Sequence, residues 1–277
     1  MSFALRKSEP RAAQPRVAPA QVLAVASGKG GVGKTWLSTT LSTCFAKAGK
    51  RTLLVDGDLG LANVDVQLGI APETDLAAVM SGWVELEDAV TPVYGGAGAD
   101  GGFDVLPGRS GSGAMAELPT EDASRLAAGL TALALQYDMV LVDLAAGIDG
   151  NVMRLARSAD RALIVANDEP TSMTDAYAFI KVLRGYAPNV SPWIAVNMAD
   201  TRVAGRRTYE ALARASQTFL GFRPPLAGII LRDAKVREAI RNQKTLPHLN
   251  PQSQAAIDAG QIAEAVLRGG LDAAAEG

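Results

Sequence analysis

Ser27 to Thr35 read SGKGGVGKT, and the reading of this stretch decides the fold. Within it, Gly28-Lys29-Gly30-Gly31-Val32-Gly33-Lys34-Thr35 satisfies the phosphate-loop pattern G-x-x-x-x-G-K-[ST]. The context agrees. The apolar run VLAVAS (22–27) precedes the loop, and KTWLSTTLSTCFAKAG (34–49) follows it with apolar positions at helical spacing and a closing Gly49. Glycines let backbone N–H groups turn inward on phosphate oxygens, and the following helix N-terminus adds the positive end of its dipole. Lys34 is then placed to reach the β/γ-phosphates of a nucleotide, and the Thr35 hydroxyl to ligate Mg²⁺. One lysine is enough for that task, yet Lys29 sits near the other end of the same glycine run. Its side chain leaves the loop early enough to point away from its own nucleotide, which makes it either a solvated surface lysine or one that lies over the phosphates of a facing subunit. A cation on a transferring phosphoryl group is worth about 10³–10⁵ in rate.

Outward from the loop, RTLLVDGD (51–58), YDMVLVDLA (137–145), RALIVAND (161–168), PWIAVNMAD (192–200) and PLAGIILRD (225–233) are apolar runs of strand length. Helical stretches at about 120–136, 149–158, 171–184 and 203–219 separate the later ones. Near-continuous apolar strands alternating with helices imply an α/β fold, a doubly wound and mainly parallel sheet with helices on both faces. The expected organisation is a basic tail over 1–20, an ATPase domain over 21–250 and a C-terminal helix or tail over 251–277. The first segment has three prolines and four basic residues against the single acid Glu9, and reads as a disordered, solvated tail or as a basic arm that docks a partner. The glycine-rich VYGGAGADGGF (93–103) reads as a flexible surface connection.

The 277 residues are 48% hydrophobic and 20% charged, with a mean hydropathy of +0.11, which suits one globular domain with a sizeable core. A net charge of −2 supplies no global basic field, so nucleic acid is not an expected partner. The single cysteine, Cys44, excludes an internal disulfide framework and reads as a buried structural thiol. The N-terminal segment lacks the apolar core of a signal peptide, and the best apolar run, LAAGLTALAL (126–135), is well short of the roughly 18 residues of a membrane span. A cytoplasmic protein is expected.

Three carboxylates fall where an open α/β sheet places its ligands, at the C-terminal ends of strands. Asp56 and Asp58 flank Gly57 after the second strand, and Asp143 follows MVLV. Asn197 ends WIAV, where an amide could meet an adenine edge or simply form a turn. His248 is the only histidine and cannot anchor a Cys/His metal site, and there is no G-x-S-x-G elbow.

KGGVGKT, LLVDGDLGLANVDVQLGI, YDMVLVDLAAGI, ANDEPTSMTDAYAFIKVL and LAGIILRDAKVREAI together resemble the motifs of the MinD/ParA family of dimerising ATPases, over roughly residues 21–245. Within that family the likeness is strongest to the branch that regulates flagellar number. The resemblance implies ATP and Mg²⁺ as cofactors and a homodimer formed with ATP. Lys29 would cross the interface and act in catalysis with Lys34 and Asp58, which orients the attacking water. Gly28 through Thr35 and the next residue, Trp36, would hold the nucleotide. Thr35, Asp56 and Asp143 would serve the metal, although Leu144 stands where the family usually has a hydroxyl residue. Asn197 and Asp233 would lie at the base, Glu169 would contact the partner's nucleotide, and Asn63 and Asp65 would line the interface.

The implied partners are a flagellar transcription activator or a basal-body or export component. Relatives often end in a membrane-targeting amphipathic helix, which would give a peripheral station at the inner membrane or cell pole. Here the tail from Gln252 carries Arg268 against Asp258, Glu264, Asp272 and Glu276, and reads instead as a helix packed on the domain. Two other readings within the family are a ParA-type partitioning ATPase, with Arg202, Arg206, Arg207 and Arg214 as a basic patch, and a MinD-like septum-site protein.

Overall fold

The computed structural model describes residues 21–58, 60–108 and 129–269. The expectations for 1–20, for the helix over 120–128 and for 270–277 lie outside those residues. Eight strands form one sheet: β1 (Gln21–Ser27), β2 (Thr52–Gly57), β3 (Thr91–Val93), β4 (Phe103–Leu106), β5 (Met139–Ala146), β6 (Arg161–Ala166), β7 (Ser191–Ala199) and β8 (Leu226–Leu231). Their order is β3-β4-β2-β5-β1-β6-β7-β8, and every pairing is parallel except β3 with β4 at one edge.

Alternation along β1 shows how the strand builds two cores. Ala24 and Ala26 face one layer, with Ile164, Phe179 and Leu212, while Leu23 and Val25 face the other, with Leu37, Phe45 and Ile262. Helices Gly150–Ala156, Pro170–Tyr186 and Arg202–Leu220 cover the first face. The second is covered by α1 (Lys34–Lys47) and by Gln254–Arg268. The latter helix buries Ala255, Ala259, Ile262, Ala263 and Val266 against α1 and β8, so its apolar residues belong to the core. Among the described residues no helix is long and apolar enough to cross a membrane.

Because β1 lies between β5 and β6, chains leave it and β6 on opposite sides, and the loop after β1 opens at the point where the strand order reverses. α1 is almost wholly buried, with Ser38, Thr39, Thr40, Ser42 and Thr43 inaccessible to solvent. Such hydroxyls are tolerated inside because most return to the helix. Thr39 Oγ1 donates to the Trp36 carbonyl and Ser42 Oγ to the Ser38 carbonyl.

The connection over 93–103 is anchored, contrary to the expectation of a flexible link. It joins β3 to β4 as a chain of turns, the Ala97 N–H donates to Asp104 Oδ1, and Tyr94 stacks on His248 with ring centres 3.9 Å apart. Cys44 is half-exposed as a residue, but burial pushes its thiol up to about 12, so it stays protonated.

Candidate nucleotide site

The loop from Gly28 to Gly33 leaves β1 and enters α1 through two residues that need left-handed backbone, Gly31 at φ 82° and Gly33 at φ 86°. Glycine is also demanded by close approach. A Cβ on Gly28 would lie 2.2 Å from the Asp175 carbonyl oxygen, and one on Gly33 would lie 2.4 Å from Asn197 Nδ2. The loop is therefore clamped between helix Pro170–Tyr186 and the end of β7. Nothing lies within 4 Å of where a Cβ would stand on Gly30 or Gly31, so that side of the loop is open to a ligand.

Asp143 is the hub of the floor. Lys34 Nζ donates to its Oδ1 at 3.1 Å, Ser38 Oγ to the same oxygen at 2.9 Å, and Thr35 Oγ1 to Oδ2 at 2.7 Å. Asp56 stands beside it, paired in register across β2 and β5. Burial, and then the charge of Asp143, push the Asp56 carboxyl up to about 7, against the pull of three backbone N–H groups. Those groups belong to Asp58, Asn63 and Val64, so Asp56 also holds the turn that carries Asp58. Asp58 is half-buried at the rim and accepts from the Leu61 N–H.

Two buried carboxyl groups share one buried lysine, which leaves the pair short of positive charge whenever both ionise, and two hydroxyls already point at Asp143. That donor set fits a divalent cation. Among the described residues no group of three or more His, Cys, Asp or Glu side chains could hold a metal ion. The ion that fits is one arriving with phosphate oxygens of its own.

Lys29 is turned onto its own chain. Its Nζ donates to Glu169 Oε2 at 2.6 Å and to Thr171 Oγ1 at 3.0 Å, at the start of helix Pro170–Tyr186. The remaining expected residues differ in how near they stand to the loop. Asn197 is buried, with Nδ2 donating to the Val32 carbonyl and Oδ1 accepting from the Met198 N–H, so its amide braces the loop. Asp233 caps helix Ala234–Arg241 through the Lys235 N–H and also accepts from the Ala255 N–H. Trp36 packs in the core with its indole Nε1 unpartnered. Asn63 is exposed and Asp65 half-buried, beside Leu61 at 73% and Val66 at 60% exposure.

Of the arginines read as a basic patch, Arg202 pairs with buried Asp258 and Arg214 donates to the Glu210 carbonyl. Sequence reading missed Ser38 and Thr171. Ser38 stands one helical turn beyond Lys34, a spacing that places both on one face and could have flagged it.

A phosphate loop opening at the strand-order reversal, over a lysine, hydroxyl and carboxylate floor, defines a P-loop nucleotide-binding protein. Residues 23–246 match the family model described as the CobQ/CobB/MinD/ParA nucleotide binding domain, and the chain belongs to that family. It is 37% identical to the antiactivator FleN of Pseudomonas aeruginosa over 90% of this chain and 86% of that protein. It is 27% identical to the flagellum site-determining protein YlxH of Helicobacter pylori, over 87% of this chain and 80% of that one. Among solved structures, the septum site-determining protein MinD of Pyrococcus horikoshii, complexed with Mg-ADP, superposes with a TM-score of 0.72 at 25% identity, covering 89% of this chain and 96% of that one.

Proposed function

We propose that the protein is an ATP-driven switch: a single chain without ATP, a sandwich homodimer with ATP and Mg²⁺, reset by slow hydrolysis, and that it regulates flagellar number and flagellar gene expression. The observation that carries the switch is the convergence of Lys34, Thr35 and Ser38 on Asp143 beneath an open glycine loop. The flagellar role is supported by the likeness to FleN and YlxH, which spans most of both proteins.

In this reading Lys34 leaves Asp143 for the phosphates, since a phosphate chain carries more negative charge than one carboxylate. Thr35 and Asp143 would hold Mg²⁺ on one side, with Asp56 close behind. When bound, Mg²⁺ supplies positive charge to the phosphate oxygens. Asp58, at the rim, would orient the attacking water through its carboxylate. Lys29 would exchange Glu169 for the phosphates of the facing chain. Leu61 and Val66, together with Ile148 after β5, give the mouth an apolar rim that a facing copy would cover.

The test is mass measurement by light scattering on Asp58→Ala protein with ADP and with ATP-Mg²⁺, beside Asp58→Ala carrying Lys29→Ala. A dimer with ATP alone, weakened by Lys29→Ala, is expected. A single chain under every condition would remove the switch. For the partner, the ATP-locked Asp58→Ala form should recover a flagellar transcription activator or a basal-body component in a pull-down, and recovery of neither would count against the flagellar role.

A further inference from the structure

We infer that Ser38 is a positioning residue for Asp143, the donor that keeps this carboxylate aimed at the cation site once Lys34 and Thr35 have turned to the nucleotide. The inference rests on the nucleotide reading above, which places Ser38 on Asp143 but gives it no task of its own.

Three donors meet on Asp143, and two have other work when phosphate is present. Lys34 Nζ is at the end of a long stem and can swing, and Thr35 Oγ1 is in the first turn of α1, directly after the loop. Ser38 is different. It lies inside α1, has no exposure to solvent, and its short side chain starts a full helical turn beyond Lys34 and the loop. Without it, an Asp143 released by both other donors would keep neither of them, and until a cation reached it the charge of Asp56 across the β2–β5 pairing would favour turning away.

The hydroxyl has one proton and two acceptors in range, Asp143 Oδ1 at 2.9 Å and the Lys34 carbonyl at 3.1 Å. The carboxylate is both nearer and charged, and charge-assisted bonds are roughly twice as strong as neutral ones. Neighbouring hydroxyls on α1 show the contrast. Thr39 and Ser42 return to helix carbonyls, and Thr43 reaches Thr245, none of them in the site. A serine whose only role was to satisfy its own helix would be expected to resemble these.

The experiment measures ADP affinity by calorimetry, first in EDTA and then across a magnesium titration, for the full-length native protein, Ser38→Ala and Ser38→Cys. Cysteine keeps the volume and supplies only a weak donor, so it separates a lost bond from lost packing. Groups that orient a metal ligand typically contribute 10–100-fold to metal affinity. Both variants should therefore bind ADP in EDTA within about twofold of native but need about tenfold more magnesium or higher for half of the magnesium-dependent gain. Unchanged magnesium dependence in both variants, beside native protein whose ADP binding tightens with magnesium, would overturn the Ser38 assignment alone. Equal losses with and without magnesium would overturn it too, leaving Ser38 a packing residue. Native protein that binds neither ADP nor ATP at any magnesium concentration would overturn the nucleotide reading as well.

Discussion

Lys29 Nζ lies 2.6 Å from Glu169 Oε2 of the same chain, so the lysine expected to serve a neighbour is held at home in the single chain. The bond to Lys29 first, and one to Asn167 second, hold the Glu169 carboxyl below the usual carboxylate range. A carboxyl lowered in the folded state favours the pair above its ordinary titration range and loses it only as pH falls through the lowered value, so the pair persists at neutral pH. Both side chains are well exposed, and solvated pairs are given up easily. Lys29 is therefore available to a facing subunit without being needed for nucleotide binding in its own. Lys29→Ala should leave ADP affinity within about threefold of native and lower single-turnover phosphate release by about 10³-fold or more, the scale of a missing cation on a transferring phosphoryl group. Undiminished phosphate release would show that the second lysine has no part in the chemistry.

Gly28 and Gly30 separate two reasons for a glycine in one loop. A methyl on Gly28 would meet the backbone of Asp175 at 2.2 Å, so helix Pro170–Tyr186 and the loop would have to move apart. Overpacking of that kind costs about 1–3 kcal/mol. Gly28→Ala should lower stability by about that amount in a denaturant titration and weaken ADP binding. Gly30→Ala meets nothing within 4 Å and should stay within about 0.5 kcal/mol of native. Any loss of ADP affinity in Gly30→Ala then reports contact with the ligand itself. A Gly28→Ala protein as stable as native would refute the clamp.

What could be read from sequence follows from how local the signal is. The β1–loop–α1 unit was legible because the consensus, the apolar run and the helical spacing lie within thirty or so consecutive residues. β3 and β4 were not, since three and four residues, one of them Pro92, give no period to count. The turns between them looked flexible because glycines dominate, and only the fold brings Tyr94 onto His248. Asp143 was placed by its strand alone, whereas Ser38 became visible only when β5 and α1 met. Asn197 and Asp233 show the opposite limit. Their positions at strand ends were readable, but the direction of a side chain is set by what packs around it, and here both bond to backbone groups of the protein itself.

Asp258 ties three elements together. It is buried on helix Gln254–Arg268, pairs with Arg202 at the start of helix Arg202–Leu220, and accepts from the Leu231 N–H of β8 at 2.9 Å and from Gln254 Nε2 at 2.8 Å. Removing one partner of a buried pair leaves unsatisfied groups behind and costs about 3–5 kcal/mol, with less expected here because Arg202 is partly exposed. Asp258→Ala should cost about 3 kcal/mol in a denaturant titration. A loss below about 1 kcal/mol would mean that the helix is held by its alanine and isoleucine packing alone.

His248 makes stability depend on pH in a known direction. Thr43 Oγ1 donates to Thr245 Oγ1 at 2.9 Å, which leaves the Thr245 proton for His248 Nδ1 at 3.0 Å. A neutral ring with Nδ1 accepting fits that bond, and the ring lies against Tyr94 with the two planes 31° apart. Burial first, then the charge of Lys47, lower its proton affinity, Asp100 raises it, and Lys244 lowers it again. With the folded value below the ordinary 6.5, the unfolded chain takes up the proton first as pH falls. Stability contributed by the neutral ring is thus complete above about 6.5 and declines as pH falls from there to the folded value. Denaturant titrations at pH 7.5 and 5.5 should show native protein losing midpoint on acidification and His248→Gln losing less. Equal losses in the two proteins would place the acid sensitivity in other groups, and a smaller loss in native protein would contradict the bonding at Nδ1.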